Sequence, residues 1–166
     1  MIAPNIFDPN FDEGGAGKGG RARLGRQAGS ERLGMSLYEL QPGFTRAARH
    51  FHFANEELLI VLSGHPLLIT SNEERELAEG EVVAFPRGER GTHRVVNPGD
   101  QPVRFLLFSE MRAPDVIFYP DSRKVLPISR PPGSRDDEEE FAYWFPISAA
   151  VDYWHGEPGT DESNRA

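Results

Sequence analysis

The 166-residue chain contains no cysteine. That excludes a disulfide framework, a thiolate metal site and a cysteine nucleophile. Long apolar runs are missing too. The longest, Leu58 to Leu62, has five residues, against the roughly 18 to 20 that a membrane-spanning helix needs. Positive charge is scarce: Lys and Arg total 18 against 26 Asp and Glu, a net charge of −8. An acidic chain lacks the basic face that phosphate-backbone binding requires, so neither nucleic acid nor membrane is an expected partner. The opening MIAPNIFDPNFDEGG has no basic stretch leading into an apolar one. No secretory signal is read there, and a cytoplasmic location is expected.

Glycine and proline, by contrast, are abundant, at 17 and 14 residues. That density works against long helices and favours short strands joined by turns. The chain length and 38% hydrophobic content suit one domain with a modest core. Residues 1–34 read as an N-terminal arm draped on the surface. Its GGAGKGGRARLGRQAG stretch lacks phosphate-loop spacing, because Asp12 stands where the first glycine should be and Gly19 follows Lys18. Residues 35–112 change pattern. Short runs such as MSLYEL, ELLIVL, PLLIT, EVVAF, HRVVN and VRFLLFSEM alternate with turn signals. Six or seven strands about ten residues apart predict an all-β sandwich or barrel. Residues 113–166 form a C-terminal extension, with one further strand expected over Asp115–Tyr119 and an acidic run, RDDEEE. Its aromatic cluster (Phe141, Tyr143, Trp144, Phe145, Tyr153, Trp154) is too apolar for a free tail and is expected to dock on the barrel or a partner subunit. The last eight residues are expected to be disordered.

Only five histidines are present, so their placement is informative. His50 and His52 are two apart on a predicted strand, which puts both imidazoles on one face. Glu57 follows across a probable bend, and His93 opens a later strand. Imidazoles and a carboxylate are donors that divalent ions accept, so His50, His52, Glu57 and His93 could surround one ion inside a small barrel. Glu56 is the rival to Glu57, but Glu57 shares the parity of Leu59 and Val61, expected to face the interior. The same parity places Arg46 and Ala48 inward, with Arg49 and Phe51 outward. It brings Val95 and Asn97 to the side of His93, and lines the lumen with Val103, Phe105, Leu107, Ser109 and Met111. The candidate substrate contacts are therefore Arg46, Phe105 and Asn97, with Arg46 suited to an anionic group. Arg87 and Arg90 are read as solvated, His65 as a surface residue, and His155 as isolated.

These residues sit in a recognisable frame. GFTRAARHFHFANEELLIVLSG, Gly43 to Gly64, resembles the first cupin motif: Gly, then His-x-His, four residues to Glu, six residues to Gly. GEVVAFPRGERGTHRVVN, Gly80 to Asn97, resembles the second: Gly, five residues to Pro-x-Gly, then His, three residues to Asn. Two spacings depart from the pattern. Six residues rather than five separate Gly43 from His50, and four rather than two separate Gly88 from His93. The flanks resemble a bacterial group of small single-domain cupins loosely named sugar-phosphate isomerases.

The resemblance implies a double-stranded β-helix (jelly-roll) barrel and frequent homodimerisation. It also implies one divalent metal ion, Fe, Mn, Ni, Cu or Zn, held by His50, His52, Glu57 and His93. A metal-dependent enzyme on a small metabolite is the first expectation, such as an isomerase, lyase or dioxygenase. The alternative is a non-catalytic small-molecule binding or sensing cupin whose metal organises the pocket, and a purely structural oligomer-forming domain is the third. No catalytic residue is assignable beyond the metal ligands.

Overall fold

The computed structural model describes residues 3–15, 19–131 and 141–158. In chain order the strands are β1 (Glu13–Gly15), β2 (Gly19–Ala22), β3 (Leu33–Leu40), β4 (Phe51–His52), β5 (Glu57–Ser63), β6 (Leu67–Thr70) and β7 (Glu74–Glu76). They continue with β8 (Val82–Phe85), β9 (His93–Val96), β10 (Val103–Glu110), β11 (Asp115–Tyr119), β12 (Lys124–Ile128) and β13 (Phe145–Pro146). One short helix, α1 (Leu24–Gln27), and 3-10 turns at Glu89–Gly91 and Ile147–Ala149 are the helical elements among the described residues. None is long and apolar enough to cross a membrane.

All pairings are antiparallel. One sheet runs β1-β2-β3-β10-β5-β8, and the facing wall is made of two smaller sheets, β13-β12-β11-β4 and β7-β6-β9. Isolated bridges between His50 and His93 and between Thr45 and Val96 join the smaller sheets. The result is the jelly-roll barrel expected, with more and shorter strands than the apolar runs suggested. Between the walls lies a cluster that includes Tyr38, Leu59, Val61, Leu68, Phe85 and Phe105, each less than a tenth exposed. Alternation along each strand selects these side chains, since successive residues point to opposite faces of a sheet.

The opposite faces of β3 and β10 are also apolar, and that decides the fate of the N-terminal segment. Leu37 and Leu106 point away from the lumen and would meet water. Ala22 and Leu24 cover them completely, with Ile6 and Phe11 packed alongside. The residues expected as a surface arm therefore contribute two sheet strands and a helix. The glycines of that stretch serve this pairing. Gly14 stands opposite Gly20, and a Cβ on Gly20 would lie 2.5 Å from the Glu13 carbonyl oxygen. Lys18, singled out in the loop comparison, lies outside the described residues, as do the acidic run 135–140 and the last eight residues.

In the C-terminal segment the backbone docks, and of the rings Trp144 reaches the barrel, its N–H donating to the Tyr119 hydroxyl. Phe145–Pro146 pairs with β12 and Ala142 bridges Ile128. Phe141, Tyr143, Trp144, Phe145, Tyr153 and Trp154 all remain exposed in the single chain.

Leu24 tests how firmly the N-terminal segment is bound. Its side chain is fully buried, so Leu24→Ala should cost about 2–4 kcal/mol in chemical denaturation. A loss near zero would mean that the segment does not cover the sheet in solution.

Candidate metal centre

The site forms where the two walls meet. His50 and His93 are a hydrogen-bonded pair: the His50 N–H donates to the His93 carbonyl at 3.1 Å, and the His93 N–H donates back at 2.9 Å. Their rings lie 4.7 Å apart, centroid to centroid, and His50 lies 5.2 Å from His52. The facing wall supplies Glu57 at the start of β5, 6% exposed, while Glu56 points to solvent. Glu57 Oε2 is 3.4 Å from His93 Nε2 and 3.6 Å from His52 Nε2.

Each imidazole is oriented through its other nitrogen. His50 Nδ1 donates to the Ala48 carbonyl at 2.8 Å, and His93 Nδ1 donates to the Gly91 carbonyl at 2.9 Å. His52 Nδ1 donates to Asp115 Oδ2 at 2.6 Å. Carbonyls and a carboxylate only accept, so Nδ1 carries the proton in all three rings and each Nε2 is left as the donor atom for an ion. The longer Gly88–His93 spacer serves this arrangement. It holds the 3-10 turn whose last residue, Gly91, presents the carbonyl to His93. Gly91 is required there, because a Cβ would lie 1.8 Å from the Pro86 oxygen.

Glu57 Oε2 is buried with no hydrogen-bond partner. A buried carboxylate oxygen with nothing to neutralise it is costly, and this one faces imidazole nitrogens whose lone pairs are free. That donor set fits a divalent cation. His50, His52 and Glu57 each offer a donor atom within 4.8 Å of one another and could hold a metal ion. His93 falls outside that trio but closes on it through Glu57.

The protonation energetics agree. Burial first, then the neighbouring His52, holds His50 down to about 4. Burial and then His50 hold His93 down to about 3. Both rings are thus neutral near pH 7. His52 goes the other way: burial pulls it down, but the Asp115 hydrogen bond and the Glu57 charge together outweigh that and raise it. Burial raises the Glu57 carboxyl, partly offset by His52. Asp115 is held below its ordinary range despite its burial, because His52, Asn55 and the Ala54 N–H donate to it.

The metal-ligand candidates line one cavity of about 200 Å³. Phe105 lines it as expected, stacked on Tyr38 at 5.2 Å, and Leu107 and Ser109 share its face. Arg46 also reaches the cavity but is ion-paired with Glu13. Ala47, rather than Ala48, lies beside it, because residues 46–49 do not form a strand and parity cannot be counted through them. Asn97 does not line the cavity. Its side chain is fully buried, donates to the Leu40 and Gln101 carbonyls and accepts from Gly99 N–H, so it braces the turn after β9. Met111 likewise lies elsewhere, its sulfur set against Gly34. Arg87 is ion-paired with Glu110, Arg90, His65 and His155 are exposed, and Arg49 points outward onto Asp121.

Several site residues escaped the sequence reading. Asp115 was legible only as the start of a strand, and its contact with His52 spans 63 residues. Arg21 lay in the glycine-rich segment, yet it lines the cavity together with Ser36 and Tyr38.

Comparison with known proteins finds a family match over part of the chain. The Cupin domain model matches residues 36–109. A protein from Acidithiobacillus ferrooxidans, provisionally named a sugar phosphate isomerase, is 25% identical, with a TM-score of 0.69 over 81% of this chain and 80% of its own. A cupin superfamily sugar phosphate isomerase from Silicibacter pomeroyi is 24% identical, with a TM-score of 0.72 over 90% and 95% of the two chains. The polyketide cyclase RemF from Streptomyces resistomycificus is 24% identical, with a TM-score of 0.55 over 82% and 89%. A search of the curated proteins finds no match.

Asp115→Asn tests the orientation and charge of His52. With the carboxylate gone, burial becomes the dominant influence, and the His52 titration should move from above to below its ordinary value near 6.5. Histidine chemical shifts followed against pH in metal-free protein report this, and an unchanged midpoint would refute the role of Asp115.

Proposed function

We propose that this chain, which belongs to the cupin superfamily, is a metal-dependent enzyme acting on a small anionic metabolite in isomerase- or lyase-type chemistry. Glu57 carries the reading: its buried, unpartnered oxygen faces the Nε2 atoms of His52 and His93, with His50 alongside, inside the cavity. His50, His52, Glu57 and His93 would hold one divalent ion, Fe, Mn, Ni, Cu or Zn, which would supply Lewis-acid chemistry there. The remaining work falls to the chain itself. Tyr38, Phe105 and Leu107 wall one side of the cavity with apolar surface. Arg21, Arg46 and Arg94 also line it and favour an anion. The name carried by the Acidithiobacillus relative, a sugar phosphate isomerase, supports this substrate class.

A non-catalytic ligand-binding role is the second reading. It is favoured by the cavity's polar lining among the described residues, which outside the ligand candidates consists of hydroxyls and arginines with no further carboxylate or imidazole. Turnover of a panel of phosphorylated and carboxylated carbonyl compounds separates the two. Ligand-induced stabilisation without product would support the binding role, and oxygen uptake by ferrous protein would move the assignment to a dioxygenase. A homodimer is the assembly we propose, supported by the exposed rings of Tyr143, Trp144 and Trp154. Light scattering giving a single chain mass at micromolar concentration would exclude it.

Elemental analysis of untagged protein should find about one equivalent of a divalent metal per chain, lost in His50→Ala and in His93→Ala. No metal in the wild type, even after incubation with divalent ions and dialysis, would overturn the site.

The pH dependence of metal binding is equally specific. His50 and His93 stay neutral down to about 4 and about 3. Between pH 6.5 and 5.5 the ion therefore competes with protons on the two raised groups, His52 and Glu57. Zinc affinity measured by calorimetry should weaken over that range by no more than about tenfold for each of these two, with no contribution from His50 or His93, whereas three ordinary imidazoles alone would cost about 170-fold.

A further inference from the structure

The sequence pointed to Arg46 as the anion contact, but the cavity holds a better-placed guanidinium. Arg21 lies on β2, directly across from Tyr38 on β3. Its Nε donates to Ser36 Oγ at 3.2 Å, and its guanidinium carbon sits 5.4 Å from the centroid of the Tyr38 ring. One edge of the fork is thus anchored and one face is supported by an aromatic ring. The two terminal nitrogens remain available for the paired acceptors of a carboxylate or phosphate.

No carboxylate among the described residues forms an ion pair with Arg21. Glu13, its cross-strand neighbour on β1, is already committed: one oxygen takes Arg23 at 2.5 Å and the other takes Arg46. Arg46 is therefore neutralised by direct contact, whereas Arg21 feels only the more distant charge of Glu57. Arg94 also reaches the cavity, its Nε 3.4 Å from Thr45 Oγ1. Three arginines and one carboxylate, Glu57, line this space in a chain whose net charge is −8. The local excess of positive charge runs against the composition of the whole protein, and a partly buried guanidinium with no carboxylate in direct contact favours an anionic partner. The glycine-rich hairpin makes this placement feasible. The close approach of Gly14 and Gly20 lets β1 and β2 pair tightly enough to seat Arg21 beside Tyr38.

We propose that Arg21, carried into the cavity by the N-terminal hairpin, is the specificity-determining residue that binds the oxyanion of the ligand, a carboxylate or a phosphate. This rests on the reading of the cavity as the ligand site. It does not require that the ion be present, so the two can fail separately.

The test uses the full chain, with inorganic phosphate and malonate as probes and sodium chloride at matched ionic strength as the reference. Melting midpoints are followed against probe concentration for wild type, Arg21→Gln, Arg21→Lys and Arg46→Gln, and metal content is measured on the same samples. The expected result is saturable stabilisation of wild type by at least one probe. Its apparent affinity should weaken at least about tenfold in Arg21→Gln, less in Arg21→Lys, and no more than about threefold in Arg46→Gln. Whichever of phosphate and malonate binds tighter identifies the oxyanion. Retained metal in Arg21→Gln confirms that the site itself survives the substitution. Arg21-dependent anion binding in metal-free wild type would leave this inference standing while the metal assignment fell. Equal responses of wild type and Arg21→Gln, a response matched by chloride, or loss of metal together with anion binding in Arg21→Gln would overturn it.

Discussion

A carboxylate buried among imidazoles is the constraint around which this barrel is organised. Glu57 is 6% exposed and one of its oxygens has no hydrogen-bond donor. Removing a charged group from water is expensive unless positive charge or donors compensate. The chain supplies neither a lysine nor an arginine within ion-pair distance of it; what it supplies are nitrogen lone pairs from the facing wall. An arrangement of this kind is stable when a cation completes it. The two smaller sheets that carry the imidazoles are held together by the reciprocal His50–His93 backbone pair.

The three imidazoles are oriented by unequal means. His50 and His93 donate to backbone carbonyls, which fix the tautomer but add no full charge. His52 donates to Asp115, which adds a negative charge and raises the basicity of the ring. Asp115 is in turn held by Asn55 and by the N–H groups of Ala54 and Val116. That carboxylate ties the end of β4 to the start of β11, so the strand that follows the barrel proper also orients a histidine of the site. Loss of such outer partners typically costs about 10- to 100-fold in metal affinity.

The N-terminal segment has a comparable double role. It covers the apolar outer face of β3 and β10, and it places Arg21 in the cavity from the same strand. Alternation explains how one strand does both: Ala22 turns to the outer cluster while Arg21, its neighbour, turns to the lumen. Its glycines allow close strand approach, which is why a stretch that superficially suggests phosphate binding is instead a hairpin.

The spacing of His50, His52, Glu57 and His93 was readable directly, because strand alternation and turn length are local properties. So was the inward set Phe105, Leu107 and Ser109, which lies on one uninterrupted strand. Parity failed wherever the strand stopped: residues 46–49 are irregular, and β9 ends at Val96, so Asn97 turns to brace a loop. The sequence alone determined the all-β class, the motif frame and the donors that could meet an ion. Only the tertiary structure decided that Asp115 orients His52 and that Arg21, not Arg46, is left without a carboxylate in direct contact. Those outcomes depend on pairings between strands distant in the chain, and on which of several arginines a single carboxylate, Glu13, neutralises.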